Sequence, residues 1–257
     1  MKITMLGCGG SQGVPTAAGD WGQCDPTDPR NRRRRVSLLI ENGEGGPDAK
    51  HLLIDTTPDF REQMIDAGVR RLDAVLYTHA HADHVHGIDD LRAFNRAMGR
   101  PIPIWGSEAT IADIRRRFAY AVDPPQGSFY RPTLVPHVFE GPFEVAGLDI
   151  IPFVQDHGFS TSTGFRIGGF AYSTDVVTLS DAAFELVDGL DLWIVDCVRI
   201  EPHVTHSHLA RTLDWIARAK PKRAVLTHMD GNLDYATLAA MLPPGVEPGC
   251  DGKVFTL

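Results

Sequence analysis

Short apolar runs alternate with helical patterns along the whole chain. Runs of branched and aromatic residues bounded by Gly, Pro or Asp predict strands. They cover 1–7, 36–41, 51–55, 73–77, 102–105, 148–154, 163–167, 170–173, 191–196 and 223–227. Apolar residues at helical spacing predict helices over 58–67, 87–98, 107–118, 180–187, 207–219 and 232–241, with Ser207 as an N-cap. This alternation predicts the α/β (α+β) class, in which helices cover sheets.

The size and charge of the chain narrow its class. Its 257 residues can bury a sizeable core, and we expect a single domain over 1–257. Because no apolar run is long enough to cross a bilayer and the glycine-rich start does not resemble a signal peptide, we expect a cytoplasmic protein without a membrane partner. The net charge of −8 argues against strong, non-specific nucleic-acid binding.

Cysteine and arginine usage adds two expectations. The cysteines Cys8, Cys24, Cys197 and Cys250 lie far apart and form no CxxC pair, so we expect free thiols. The arginine run, residues 30–35, contains five arginines. It could reach a phosphate near an active site or form a solvated, disordered loop, and the sequence leaves both open.

The densest candidate chemistry follows the predicted strand 73–77. His79, His81, Asp83 and His84 fall within six positions of one another. Imidazole and carboxylate together suit hydrolytic transition-metal centres, and open α/β sheets place ligands at the carboxyl ends of their strands. A histidine-rich surface loop is the simpler alternative. Four candidate ligands packed this closely after a strand favour a metal site.

The pattern His-x-His-x-Asp-His resembles the signature of the metallo-β-lactamase superfamily, most of whose members are hydrolases. The resemblance extends to a first motif at 53–55, a third at His157, a fourth at 173–175 and a last at 226–228. It implies an αβ/βα sandwich of two mixed β-sheets with outer helices. The metals would lie at one edge, between the sheets.

The resemblance also implies a ligand set for two divalent ions, Zn²⁺ or Mn²⁺. It assigns His79, His81 and His157 to one ion, Asp83, His84 and His228 to the other, and Asp175 to both. Asp83 would also take part in catalysis by positioning the hydrolytic water. Asp55 would orient the metal-binding loop from outside the ligand set. Taken singly, each residue beyond the cluster could be an ordinary hydrogen-bonded side chain.

His206 narrows the expected reaction. It lies 22 positions before His228, a separation similar to that in the cyclic phosphate phosphodiesterase branch of the superfamily. There the histidine contacts the scissile phosphate or protonates the leaving oxygen, and histidine suits both tasks. His208 stands where that branch has an aspartate, so we expect it near the substrate as a different partner. With only Cys24 after Trp-Gly and Gly231 in place of a histidine, that branch's structural zinc site is not expected.

The leading prediction is a metal-dependent phosphoric diester hydrolase that acts on a small cyclic phosphate or nucleotide-like phosphoester. Its nucleophile would be a hydroxide shared by the two ions. The alternatives are a transfer-RNA 3′-processing endonuclease and a non-catalytic sensor with the same fold. A homodimer is suggested only by the relatives. The loop 124–128, followed by Phe129 and Tyr130, could border the substrate or be a plain surface connection.

Overall fold

The computed structural model describes residues 1–43, 45–46, 48–124, 127 and 131–257. Its strands are β1 (Lys2–Gly7), β2 (Ser37–Asn42), β3 (Lys50–Ile54), β4 (Ala74–Leu76), β5 (Ile102–Gly106), β6 (Leu134–Val138), β7 (Phe143–Val145), β8 (Leu148–Asp156), β9 (Thr161–Ile167), β10 (Phe170–Ser173), β11 (Leu192–Asp196), β12 (Ala224–Thr227), β13 (Val246–Pro248) and β14 (Val254–Thr256). Its helices are α1 (Phe60–Ala67), α2 (Ala82–Val85), α3 (Leu91–Met98), α4 (Glu108–Arg117), α5 (Ala119–Val122), α6 (Asp181–Val187), α7 (Leu209–Ala219) and α8 (Tyr235–Met241).

The strands form two mixed seven-stranded sheets. The first has the order β14-β1-β2-β3-β4-β5-β6 and the second the order β13-β12-β11-β10-β9-β8-β7. Strands β3 to β6 are parallel in the first sheet, as are β10 to β13 in the second, and the remaining pairs are antiparallel. This arrangement confirms the predicted αβ/βα sandwich.

Alternation along β2 shows how the first sheet is covered on both faces. Leu38 and Ile40 belong to the core cluster that contains Trp193 of the second sheet, whereas Leu39 belongs to the cluster with Phe60 of α1. Successive side chains of a strand point to opposite faces, so three consecutive apolar residues serve two cores. One core lies between the sheets and the other beneath the helices of the first sheet.

Each strand predicted from the sequence is present within two residues of its expected bounds. The missed elements are short or atypical. Strand β6 contains a proline and a histidine, and β7, β13 and β14 have three residues each. The expected helix 87–98 begins with a 3₁₀ turn at Ile88–Asp90 and becomes α-helical at Leu91. The loop with Phe129 and Tyr130 lies largely outside the described residues.

The prediction of Ser207 as an N-cap is wrong. Helix α7 starts at Leu209, with His208 at the cap and no side-chain cap hydrogen bond. The Ser207 hydroxyl pairs with that of Thr212 at 2.7 Å, and its backbone N–H donates to Asp196. The hydroxyl that a local cap would have used is therefore engaged by Thr212.

All four cysteines are free thiols, as predicted. None of the helices in the described part of the chain combines the length and apolar character that a bilayer crossing requires.

The arginine run is part of the folded structure, so a disordered loop is excluded. Three of its side chains form ion pairs with carboxylates: Arg30 with Asp28, Arg34 with Asp66 and Asp251, and Arg35 with Asp59. Arg33 is 2% exposed. These internal contacts engage the guanidinium groups of Arg30, Arg33, Arg34 and Arg35, whereas Arg32 is exposed.

Arg33 joins the N-terminal loop to the segment that follows His228. Its guanidinium donates to the backbone carbonyls of Asp230, at 2.9 Å, and Leu233. Gly231, between these two, accepts a 2.7 Å hydrogen bond from the backbone N–H of Gln23. The buried guanidinium of Arg33 therefore holds together two segments that are about 200 positions apart in the chain.

Replacing Arg33 by methionine should destabilise the protein by about 2–4 kcal/mol, because two buried carbonyls lose their donor. Urea unfolding of the metal-free protein measures this cost. The neighbouring exposed Arg32→Met is the matched control and should change stability by less than about 0.5 kcal/mol. Equal unfolding midpoints for the two variants would show that Arg33 does not hold the segments together.

Candidate metal centre

The predicted site residues follow strand ends at one edge of the sandwich. Asp55 follows β3, and the histidine cluster follows β4. In the second sheet, Asp175 comes soon after β10 and His228 directly after β12. Parallel strands bring their carboxyl ends to the same edge of a sheet, so residues far apart in sequence meet there.

Three of these residues have left-handed backbone conformations. The φ angle is +64° at Asp55, +55° at Asp175 and +58° at His228. This region is unfavourable for residues other than glycine and is often found at functional sites. The sharp turn after each strand directs the side chain into the centre, and surrounding contacts hold it there.

The structure brings all seven predicted ligands together in two groups that share Asp175. Within each group, donor atoms lie within 4.8 Å of one another. The groups are His79, His81, His157 and Asp175, and Asp83, His84, Asp175 and His228. Asp175 Oδ1 is 3.7 Å from His157 Nε2 and 3.4 Å from His228 Nε2. The same carboxylate oxygen therefore lies close to donor atoms of both groups.

The donor atoms at the centre fit a metal site. The Nε2 atoms of His79, His84 and His228 are buried and have no hydrogen-bond partner among the described residues. On the outer side of two of these rings, His79 Nδ1 lies 3.1 Å from the Thr78 hydroxyl and His84 Nδ1 lies 2.8 Å from Asp55. Buried nitrogens without partners are costly unless a cation or water satisfies them, and fixing of the opposite ring nitrogen is typical of metal-binding histidines.

Asp55 holds the metal-binding loop, as its predicted role requires. Its carboxylate accepts hydrogen bonds from the backbone N–H and the hydroxyl of Thr78, at 2.9 and 2.8 Å, besides its contact with His84. Burial raises the pKa of Asp55, and the charge that His84 carries when protonated partly offsets this rise. The loop is therefore anchored at its first residue and at its last histidine.

Carboxylates and neighbouring rings shift the pKa values of the histidines in the centre in different directions. Burial lowers the pKa of His79, and the neighbouring His84 lowers it further. Burial also lowers the pKa of His228. The carboxylates of Asp175, Asp83 and Asp196 have a larger, opposite effect and raise that pKa to about 9. The same carboxylates that attract protons onto an imidazole would attract a divalent cation.

His206 lies beside the two groups and contacts a third carboxylate. Its Nδ1 is 3.4 Å from Asp196 and 3.8 Å from Asp175, and its ring stacks on His228 at a centroid distance of 4.6 Å. Asp196 is held in turn by backbone N–H groups of Val176 and Ser207. His206 therefore lies at the edge of the centre, with Nδ1 near two carboxylates and without a hydrogen-bond partner among the described residues.

A cavity of about 330 Å³ opens onto this centre. It is lined by five of the predicted ligands, by His206, and by Ser11, Phe159, Ser160 and Thr205. A small substrate could reach the ligands from this side.

Comparison with known families agrees with this geometry. Residues 50–229, which carry the site from Asp55 to His228, match the model of the β-lactamase superfamily domain. The chain belongs to the metallo-β-lactamase superfamily. Most members combine the sandwich described above with metal-dependent hydrolysis, and this coarse class of chemistry is the one that the family supports for the chain.

Relatives refine the place of the chain within the superfamily. A crystal structure of a new diphosphatase from the PhnP family is 34% identical, with a TM-score of 0.89, and the match covers 99% of this chain and 96% of that one. A ribonuclease Z of Bradyrhizobium diazoefficiens is 42% identical over 65 residues, 24% of this chain and 20% of that protein.

A third relative is an octanoyltransferase of Porphyromonas gingivalis, 32% identical over 256 residues. The match takes in 98% of this chain but only 51% of that protein. The chain thus spans about half the length of this curated relative, whose name applies to that protein as a whole.

The superfamily motifs did not indicate every residue of the centre. Asp196 was missed as a site residue, although it ends the apolar strand β11 in the same way that Asp55 follows β3. A search for polar residues at the ends of apolar strands would have found it. Thr205, whose backbone carbonyl holds the outer nitrogen of His157, carried no signal in the sequence.

His208 is not brought to the centre. It stands at the start of α7, its charged neighbours are Arg211 and Asp214, and it does not line the cavity as far as the described residues show. His203 is closer, with its ring 5.1 Å from that of His206.

Proposed function

We propose that this protein is a dinuclear metal-dependent phosphodiesterase that hydrolyses a small cyclic phosphate or nucleotide-like phosphoester. The observation that carries the proposal is the position of Asp175, shared by two donor groups, with His206 3.8 Å away and outside both. The similarity to a PhnP-family diphosphatase over nearly the whole chain supports a substrate whose scissile bond is at a phosphoryl group.

His79, His81, His157 and Asp175 would hold one ion, and Asp83, His84, His228 and Asp175 the other. When bound, such ions would activate water and neutralise charge on phosphoryl oxygens. The mixed imidazole and carboxylate set accepts either Zn²⁺ or Mn²⁺.

Other residues of the protein would position the metal ligands and contact the substrate. Asp55 and Thr78 keep the cluster rigid, and the Thr205 carbonyl accepts a 2.7 Å hydrogen bond from His157 Nδ1. His206 contacts the scissile phosphate or delivers a proton to the leaving oxygen. The Asp196 carboxylate lies 3.4 Å from Nδ1 of that ring and would favour its protonated form.

We also propose that residues 1–257 act as one domain, since a single core joins the two sheets. Four free thiols fit a reducing compartment such as the cytoplasm.

Purified protein reconstituted with Zn²⁺ or Mn²⁺ and assayed on bis(p-nitrophenyl) phosphate, a thioester and a precursor transfer RNA tests the proposal. We expect metal-dependent turnover of the phosphodiester. Faster turnover of the thioester would contradict it, and so would metal binding without turnover of any phosphoester, as in a sensor.

Transfer-RNA 3′ processing is the second candidate, because part of the chain matches a ribonuclease Z. The net charge of −8 argues against a broad surface for a large polyanion. Cleavage of precursor transfer RNA at a higher kcat/KM than that for small diesters would favour this candidate.

A further inference from the structure

Phe159 is an exposed aromatic side chain beside the metal centre. It lies in the turn between β8 and β9, two positions after the candidate ligand His157, and is 93% exposed. A lone exposed apolar residue is common on protein surfaces. Phe159 differs because it lines the cavity that contains the centre, where it is the one apolar side chain among the described lining residues.

The turn that presents Phe159 is held in place. The backbone N–H of His157 donates to the Ser160 carbonyl at 3.0 Å, and that of Gly158 donates to the Asp156 carboxylate at 2.8 Å. Gly158 has a φ of +77°, and a Cβ there would lie 2.9 Å from the carbonyl oxygen of Val204. The backbone of the turn that carries Phe159 is therefore held close to the loop that carries His206, while the phenyl ring itself faces solvent.

That neighbouring loop adds a second exposed apolar side chain to the rim. Val204, whose backbone contacts Gly158, is 72% exposed and lies two positions before His206. Exposed apolar side chains therefore lie on two of the loops that deliver histidines to the centre, the loop with His157 and the loop with His206. Apart from Phe159, His206 and the candidate metal ligands, the cavity is lined by the hydroxyl-bearing residues Ser11, Ser160 and Thr205.

This combination matches the parts of a nucleoside phosphate. Phosphate would meet the metal ligands, sugar hydroxyls would meet the serine and threonine side chains, and a flat ring would cover Phe159. An alkyl chain would need a continuous apolar groove, whereas an aromatic ring stacks on a single phenyl face and leaves its other face in water.

We propose that Phe159 stacks on the nucleobase of the substrate, so that the preferred phosphoesters carry an aromatic base one sugar away from the scissile phosphate. This rests on the proposed phosphodiesterase function and names its substrate class. Phe159 would act on specificity and leave the chemistry to the metal centre.

Turnover of two esters that differ only in the ring tests the proposal. Adenosine 2′,3′-cyclic phosphate and methyl riboside 2′,3′-cyclic phosphate share the same scissile group. For Phe159→Ala we expect a loss in kcat/KM of roughly tenfold on the adenosine ester, mainly through KM, and no change on the methyl riboside. Phe159→Trp should keep the adenosine activity, and Ile65→Ala, an exposed apolar residue on α1, is the control and should behave as wild type.

Binding separates this proposal from the proposed function. Calorimetry on metal-loaded protein would compare AMP with ribose 5-phosphate, and no turnover is needed. We expect wild type to prefer AMP and Phe159→Ala to lose that preference. If wild type hydrolyses neither ester but shows the preference, the phosphodiesterase proposal fails and the stacking stands. Equal affinity for the two ligands in wild type, or an equal loss on both in Phe159→Ala, would overturn the stacking.

Discussion

His81→Ala is expected to lose one bound metal ion and at least about a hundredfold in phosphodiester turnover, since removal of even an outer partner of a metal ligand costs up to that much. His81 belongs to the group with His79, His157 and Asp175. Its Nδ1 lies 3.3 Å from His157 Nε2, so the two rings converge on one place. Elemental analysis of the reconstituted variant should find roughly one ion per chain where wild type holds about two.

The side chain of His81 makes this a clean test. It is exposed, so its removal should leave the fold and the unfolding temperature unchanged. His86, also exposed and five positions further on, is the matched control because it belongs to neither ligand group. His86→Ala should keep both ions and full turnover. If His81→Ala bound as much metal as His86→Ala, the assignment of the first group would be wrong.

His206→Ala should keep both ions and lose at least about a hundredfold in kcat, the scale of one general acid or base. His206 stands outside the two groups that share Asp175, although its Nδ1 is close to that residue. It also contacts Asp196, which with His206 and His228 forms a third set of possible ligands. Metal content measured alongside kcat therefore distinguishes a proton donor from a ligand.

The leaving group gives a second measurement. An ester with a good leaving group, such as p-nitrophenolate, needs little protonation, so His206→Ala should lose less on it than on an alkyl ester. His208→Ala is the control: it removes a histidine two positions away that does not line the cavity. A uniform loss on both esters, or loss of an ion, would show that His206 serves the centre in another way.

The sequence by itself indicated the sandwich, its strands and the candidate ligands. The reason is local, because an apolar run that ends in a polar residue is typical of a buried strand and the turn after it. His79 to His84 follow one such strand directly, in the turn and the short helix α2. Asp55, Asp175 and His228 repeat this form at other strand ends. The resemblance to the superfamily then indicated that these residues form a single metal site.

The tertiary structure decided which of these residues meet and what surrounds them. Sheet order brings His157 next to His81, 76 positions away, and places Asp196 against both His206 and His228. Ser207 does not cap α7, because its hydroxyl pairs with Thr212 and its backbone N–H donates to the Asp196 carboxylate. Contacts between distant segments depend on the packing of two sheets, and neither spacing nor composition along the chain encodes that packing in a readable form.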